Sequence, residues 1–381
     1  MSREVAARGR ERLRVLHLIQ NLNYGGMERV LTDLLATLPE ARFENHVMAL
    51  QFVGRFGADL PESTTLHRGP RQTRASLLYP VRLARDIRAI APDVVHTHSG
   101  VWLKGARAAR IARVPRVVHT EHGRHFPDPM LSRWLDRLAS RLTDVVVAVS
   151  DDLARTLVAR VGVSPEIVRV VRNGVVVRQR TECPSPGGLR SRLGLKPGAP
   201  LLVSIGRLEP VKGYDVLLEA LARLASVEDG QPAVVPALII AGDGSLRADL
   251  ERRVDDLGLA GDVRLPGWVD DVAALLEEAD LFVLASHSEG TSISLLEAMA
   301  AGVCPLVTDV GGNADVLGDA LSHRLAPPGD PEALAGALRR ALADPVARAR
   351  DGRAARERAD RRYGVDAMAE GYAAAYEGRG A

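Results

Sequence analysis

Twice in 381 residues the chain runs from a short β-branched segment through a glycine loop into an amphipathic stretch, and this repeated opening constrains the fold most tightly. The first copy is residues 14–19, then Gly25 and Gly26, with a helix expected from near Met27. The second is residues 201–205, then the loop 206–213, with a helix expected from near Tyr214. Further β-branched runs at 93–97, 116–120, 144–149, 237–241, 281–285 and 303–308 alternate with amphipathic segments. Such alternation predicts parallel sheets covered by helices on both faces. The expected fold class is α/β with two Rossmann-like domains facing each other across a cleft, and with ligands gathered where strands end in loops.

The length suits two domains rather than one core. The pattern breaks between Arg178 and Pro200 into proline- and glycine-rich sequence, which places a linker near its start. Residues 1–178 are expected to form the first domain and 179–361 the second. A tail helix over about 362–381, through Met368, Tyr372 and Tyr376, packs back on the first domain or caps the second. A net charge of +2 with 26% charged residues fits a globular enzyme and predicts no nucleic-acid partner. Cys183 and Cys304 lack metal-ligand spacing and fit a reducing cytoplasm. No stretch approaches the ~18 apolar residues of a membrane-spanning helix.

The loop after residue 205 carries Arg207 and Lys212 between a strand end and a helix start, where backbone N–H groups already favour anions. This reads as a diphosphate cradle. No Asp-x-Asp occurs, so the carboxylate pair that would hold a nucleotide-bound divalent ion is missing, and neither metal nor cofactor is expected. The run 281–285 leads through a loop to Glu289, and Glu297 follows eight positions later inside a helix that Gly302 should stop. One carboxylate could meet sugar hydroxyls and the other a ribose, with backbone N–H groups of Gly290, Thr291 and Ser292 toward phosphates. Ser294 and Glu297 also match a capping box, in which Glu297 would serve only the helix start.

The segment Glu289 to Gly302, the loop Gly206 to Gly213, Gly242-Asp-Gly244 and Gly311-Gly312-Asn313 together resemble the retaining GT-B glycosyltransferases of family four, the group 1 glycosyl transferases. The resemblance implies that Glu289 contacts the donor sugar, that Glu297 holds the ribose, and that Arg207 and Lys212 bind the diphosphate. It adds Gly242 and Gly244 to the donor site, and makes Gly25 and Gly26 a glycine loop near the donor phosphate and acceptor. Asn173-Gly174-Val175 resembles a junction motif, although Val176 stands where the family often has aspartate, and Gly290-Thr291-Ser292 lacks a common Phe-Gly. His122 resembles the family's active-site histidine, chosen over His96, His98 and His125, with His98 second on the acceptor side.

The expected activity is therefore retaining, metal-independent sugar transfer. The donor is a UDP- or GDP-linked sugar, and the acceptor a hydroxyl of a glycan, a lipid-linked saccharide or a small molecule. A nucleotide-sugar epimerase and a non-catalytic nucleotide-sugar binder are the alternatives. A dinucleotide dehydrogenase would need Gly-x-Gly-x-x-Gly, which follows neither opening strand. Arg68, Arg71, Arg74, Arg82, Arg85 and Arg88 form a basic run backed by an apolar stripe of Val81, Ala84, Ile87 and Ile90. It reads as a solvated helix face or as a peripheral contact at the inner face of a membrane.

Overall fold

A computed structural model describes residues 11–23, 25–71, 76, 79–123, 129–177, 194, 198–225 and 236–379. The proline-rich part of the expected linker, Cys183, His125 and Arg74 lie outside them. The chain divides into two compact units, Met1–Gly174 with Val365–Ala381, and Val175–Gly364. The second unit thus starts four residues before the expected boundary, because the Val175 N–H donates to the Tyr363 carbonyl at 2.8 Å.

In the first unit the elements are β1 (Leu13–Asn21), α1 (Gly26–Thr37), β2 (Phe43–Phe52), β3 (Thr65–Arg68), α2 (Val81–Ile90), β4 (Val94–His98), α3 (Trp102–Ile111), β5 (Arg116–Glu121), α4 (Met130–Ser140), β6 (Val145–Ala148), α5 (Asp151–Thr156) and β7 (Val168–Val170). Among the described residues the strands form one parallel sheet in the order β3-β2-β1-β4-β5-β6-β7. The order reverses between β1 and β4, the point at which loops diverge and open a crevice in such sheets.

The two faces of this sheet differ. One is apolar: Leu16, Leu18, Val95 and Val117 pack against α2, α3 and α4 through Leu83, Ile87, Leu103, Ala106 and Ala139. The other carries His17, His96 and His98, all buried. Register explains their meeting, since His17 pairs with His96 and His98 with Thr120, and residues two apart share a face.

The second unit holds β8 (Leu201–Ile205), α6 (Tyr214–Ala225), β9 (Ala237–Ala241), α7 (Arg247–Asp256), β10 (Val263–Gly267), α8 (Val272–Glu277), β11 (Leu281–Leu284), α9 (Ile293–Ala300), β12 (Pro305–Thr308), α10 (Asn313–Leu317), β13 (Leu325–Ala326), α11 (Pro331–Ala343) and α12 (Pro345–Tyr363). Its described strands form a second parallel sheet, β10-β9-β8-β11-β12-β13, reversing between β8 and β11. Here both faces are apolar: Leu202, Leu238 and Val283 lie in one core, Leu201, Val203 and Phe282 in the other. Near-continuous hydrophobic strands such as Leu201–Ile205 are what a doubly covered sheet requires.

The last helix, α13 (Val365–Glu377), belongs to the first unit and packs beside α1 and β5. It does not cap the second unit. Buried Tyr372 and Tyr376 carry their hydroxyls to the polar face of the first sheet, where the Thr120 hydroxyl donates to Tyr372 and His96 Nδ1 meets the Tyr376 hydroxyl.

Candidate functional site

In the second unit, the loops after β8 and β11 flank the point where strand order reverses. They are joined by an ion pair: Lys212 Nζ lies 2.6 Å from Glu289 Oε1, and the Ser286 hydroxyl donates to the same oxygen at 2.6 Å. Both charged side chains are mostly buried. The backbones are laced as well, the His287 N–H donating to the Val211 carbonyl at 2.8 Å. Gly213, at φ +60°, allows this approach, because a Cβ there would lie 2.2 Å from the Ala285 carbonyl oxygen. A second clamp holds Glu289 from the far side. A Cβ on Gly311, at φ +53°, would lie 1.8 Å from the Glu289 carbonyl oxygen, and the Gly312 N–H donates to the Gly290 carbonyl at 3.0 Å.

Arg207 stands exposed at the head of the β8 loop. Gly242 and Gly244 sit beneath that loop, where their missing side chains admit the Gly206 and Leu208 carbonyls. This close packing is a structural reason for both glycines. Tyr214, which the sequence reading missed, is buried at the start of α6 beside Gly206. Burial pushes its hydroxyl well above the usual phenol range, and the nearby Glu289 charge adds to that shift.

Helix α9 decides between the two sequence readings of Glu297. Its N-cap is Ser292, whose hydroxyl accepts from the Leu295 N–H at 3.4 Å. The capping-box position is therefore Leu295, and Glu297 lies two positions beyond it, half-buried. The expected Ser294–Glu297 box does not form. The Ser292 hydroxyl serves the cap and lies 3.2 Å from the Ser294 hydroxyl. Gly302, at φ +75°, ends the helix as expected, with Val303 N–H bonded to the Ala298 carbonyl.

In the first unit Gly25 is the N-cap of α1, and the Glu28 carboxylate, 6% exposed, folds back to within 2.5 Å of where a Gly25 Cβ would stand. A carboxylate of the protein thus already occupies the positive end of that helix. Asn173 is buried with Oδ1 unpartnered, and the next N–H, of Gly174, points at Met368 Sδ on α13 at 3.0 Å.

The histidines form a chain. His17 Nδ1 lies 3.3 Å from His98 Nε2, and His98 Nδ1 lies 3.1 Å from His122 Nε2. His122, just past β5, is the most accessible of these three, and its N–H donates to the Ser99 hydroxyl at 3.2 Å. His98 is 1% exposed, so it stands behind His122 and cannot meet an acceptor itself. Burial holds His122 down to about 4 and His17 to about 3, and burial together with the neighbouring histidines lowers His98 well below the usual imidazole range, so all three are neutral near pH 7. Two neutral proton patterns satisfy both N···N bonds. Either His17 donates to His98 and His98 to His122, or every donor is reversed.

His96 lies outside this chain. Its Nε2 is 2.7 Å from the Thr120 hydroxyl, which donates onward to Tyr372, so Nε2 carries the proton and Nδ1 accepts from Tyr376 at 2.8 Å. The ring nitrogens of His17, His96 and His98 lie within 4.8 Å of one another, close enough to suggest an ion. The hydrogen bonds leave His96 no lone pair to give one.

Residues 24–179 match the family model described as Glycosyltransferase Family 4, and residues 189–358 the one described as Glycosyl transferases group 1. The chain is 26% identical over 323 residues to the UDP-Gal:alpha-D-GlcNAc-diphosphoundecaprenol alpha-1,3-galactosyltransferase of Escherichia coli, covering 79% of this chain and 81% of that protein. It is 31% identical over 275 residues to the D-inositol 3-phosphate glycosyltransferase of Jonesia denitrificans, covering 66% of this chain and 64% of that one. The crystal structure of Anabaena HepE in complex with UDP-glucose matches with a TM-score of 0.80 at 23% identity, covering 95% of this chain and 98% of that one. That last likeness is one of fold.

Proposed function

This chain belongs to the glycosyl transferases group 1 family, and from that premise we propose that it transfers a sugar from a nucleoside diphosphate donor, with retention and without a metal, to a hydroxyl acceptor. The observation that carries the reading is the Lys212–Glu289 pair, which places a cation and a carboxylate side by side where the second sheet's strand order reverses. The cation suits a diphosphate and the carboxylate the hydroxyls of a sugar. UDP is the favoured donor nucleotide, since the Escherichia coli relative is named for UDP-Gal and the Anabaena structure holds UDP-glucose. GDP is the second choice.

In this reading the anomeric bond to the diphosphate lengthens toward an oxocarbenium-like centre. Arg207, Lys212 and the backbone N–H groups at the start of α9 stabilise the negative charge that develops on the leaving group. The departing oxygen takes the acceptor's proton on the same face, so configuration is retained and no protein nucleophile is needed. Glu289 orients the sugar and Glu297 the ribose. His122, neutral at working pH, contacts the sugar without adding charge. A lipid-linked saccharide is the favoured acceptor, again from the relative's name, which also makes a peripheral contact with the membrane useful.

The test is a transfer assay with UDP- and GDP-sugars after thermal-shift screening for the donor, since a ligand that binds only the folded state raises the melting point. Glu289→Ala and Arg207→Ala should abolish transfer while circular dichroism is unchanged. Full activity in either variant sinks the assignment, and activity abolished by a chelator sinks the metal-free part of it.

A further inference from the structure

Two buried hydroxyls near the Lys212–Glu289 pair have no hydrogen-bond partner, those of Ser204 and Tyr214. Ser204 lies near the end of β8, on the same face as Leu202, and Tyr214 opens α6; they are 0% and 1% exposed. Ser204 stands close enough to ease the ionisation of Tyr214 without closing a hydrogen bond to it. Tyr214 and Lys212 crowd the place where Gly206 lacks a side chain. A Cβ there would lie 3.0 Å from the Tyr214 hydroxyl and 3.2 Å from Lys212 Cε, so the phenol and the lysine stem flank one point.

Core packing accounts for the ring of Tyr214 but not for its hydroxyl. The ring lies in one core with Leu202, Leu217, Leu238 and Val283. Phenylalanine would fill that volume without burying an unpaired hydroxyl, which is unfavourable away from water. Burial and the nearby Glu289 charge both keep the group a phenol, so it can donate to a carboxylate or accept from an ammonium. Glu289 has room for such a donor. Lys212 Nζ and the Ser286 hydroxyl both meet Oε1, and among the described residues no hydrogen bond reaches Oε2.

We propose that Tyr214 is a positioning residue of the donor site, whose hydroxyl takes hold of Glu289 when an anion draws Lys212 away. A buried carboxylate that loses its cation is left uncompensated and free to turn. A phenol beside the same lysine replaces the lost hydrogen bond without adding a charge. Glu289 then stays ionised and fixed, with one oxygen held and the other toward the sugar. No proton is transferred in the exchange, since the phenol donates a hydrogen bond and keeps its O–H. The inference deepens the sugar-transfer reading and rests on it for its purpose, because Glu289 has to be held only where a sugar meets it.

The experiment has two arms. In the first, the Lys212→Met variant, which keeps the stem and loses the charge, is crystallised without ligand. The Tyr214 hydroxyl should then lie within hydrogen-bond distance of a Glu289 oxygen. A hydroxyl that stays apart from Glu289, or turns to Ser204 alone, overturns the proposal whether or not the protein transfers sugar. In the second, Tyr214→Phe should melt at or above the wild-type temperature and bind UDP as wild type does. Its kcat should fall about tenfold with little change in KM, the worth of one hydrogen bond to a charged group. In a Glu289→Gln background the same substitution should cost about threefold or less, because a neutral amide is the weaker acceptor. Full activity of Tyr214→Phe, or an equal loss in both backgrounds, overturns the proposal. Failure of the sugar-transfer reading looks different: wild type then transfers nothing and its melting point does not move with nucleotide sugar, while the ligand-free arm still decides.

Discussion

Lys212 Nζ and Glu289 Oε1 stand 2.6 Å apart although 77 residues separate them in sequence, and the pair is mostly withdrawn from solvent. A charge pair so placed is stabilised mainly by its geometry, and removing one member leaves the other buried without compensation. Without ligand, Glu289 neutralises Lys212. In the proposed function, an incoming diphosphate would compete for that ammonium and release the carboxylate toward the sugar.

Glu289→Gln and Lys212→Ala should therefore behave differently. Glu289→Gln frees Lys212 for the diphosphate, so nucleotide binding should hold or tighten while kcat falls about 100-fold, an amount typical of losing one transition-state contact. Lys212→Ala should weaken nucleotide diphosphate binding and kcat together. Calorimetric titration with UDP and steady-state kinetics separate the cases, and equal loss of affinity in both variants would contradict the competition.

His98 should act only through His122. Replacing it by Phe removes the partner of His122 Nε2, so kcat should fall by on the order of tenfold with little change in KM. His98→Asn, which can still hydrogen-bond, should recover part of the loss. Nitrogen NMR of the imidazoles gives a readout independent of rate. His122 should show one well-defined pattern in the wild type and a mixture in His98→Phe.

The buried histidines make stability depend on pH. His17 and His122 titrate near 3 and 4 when folded and near 6.5 when unfolded, and His96 and His98 are lowered in the same sense. Above pH 6.5 neither state binds these protons. Below it only the unfolded state does, so stability falls as pH drops from 6.5 toward 4, by up to about 1.4 kcal/mol per pH unit for each histidine. Urea titrations at pH 7.5, 6.5 and 5.5 should show the decline steepening, and His17→Phe should flatten it. A midpoint constant across that range would refute the neutral chain.

Gly311→Ala should be costly to the site. The Cβ meets the Glu289 carbonyl and the backbone is left-handed, so the substitution should lower stability by about 1–3 kcal/mol and displace Glu289. Gly258→Ala, at φ +68° with no atom within 4 Å, carries the conformational cost without the clash and serves as the control. If the two lose transfer activity equally, the clamp on Glu289 is not what matters.

The reading from sequence succeeded where burial writes a pattern into the chain. β1, β4, β5 and β6 in one sheet and β8, β9, β11 and β12 in the other are interior strands, covered on both faces, and their apolar runs stand out. β3, β7, β10 and β13 escaped notice because they are sheet edges, where one side of the strand needs no apolar partner and even Pro266 is tolerated in β10. β2 is interior, but Glu44, Asn45 and His46 interrupt its run.

The candidate site divides the same way. The glycine loops, the two cations and the two glutamates are local features, readable because a strand end, a turn and a helix start follow one another in the chain. Three matters depended on the tertiary structure. Lys212 and Glu289 meet only because the strand order reverses between β8 and β11. Ser292 rather than Ser294 caps α9, which leaves Glu297 outside the cap, and the choice follows where the chain turns after leaving Gly290. The histidine chain exists because parallel register sets His17 beside His96 and His98 beside Thr120, under tyrosines that arrive from the other end of the chain. Amino-acid order specifies which residues are apolar, charged or free to turn. Which distant side chains share one buried volume is set by sheet order and register, and those depend on the packing of all the strands at once.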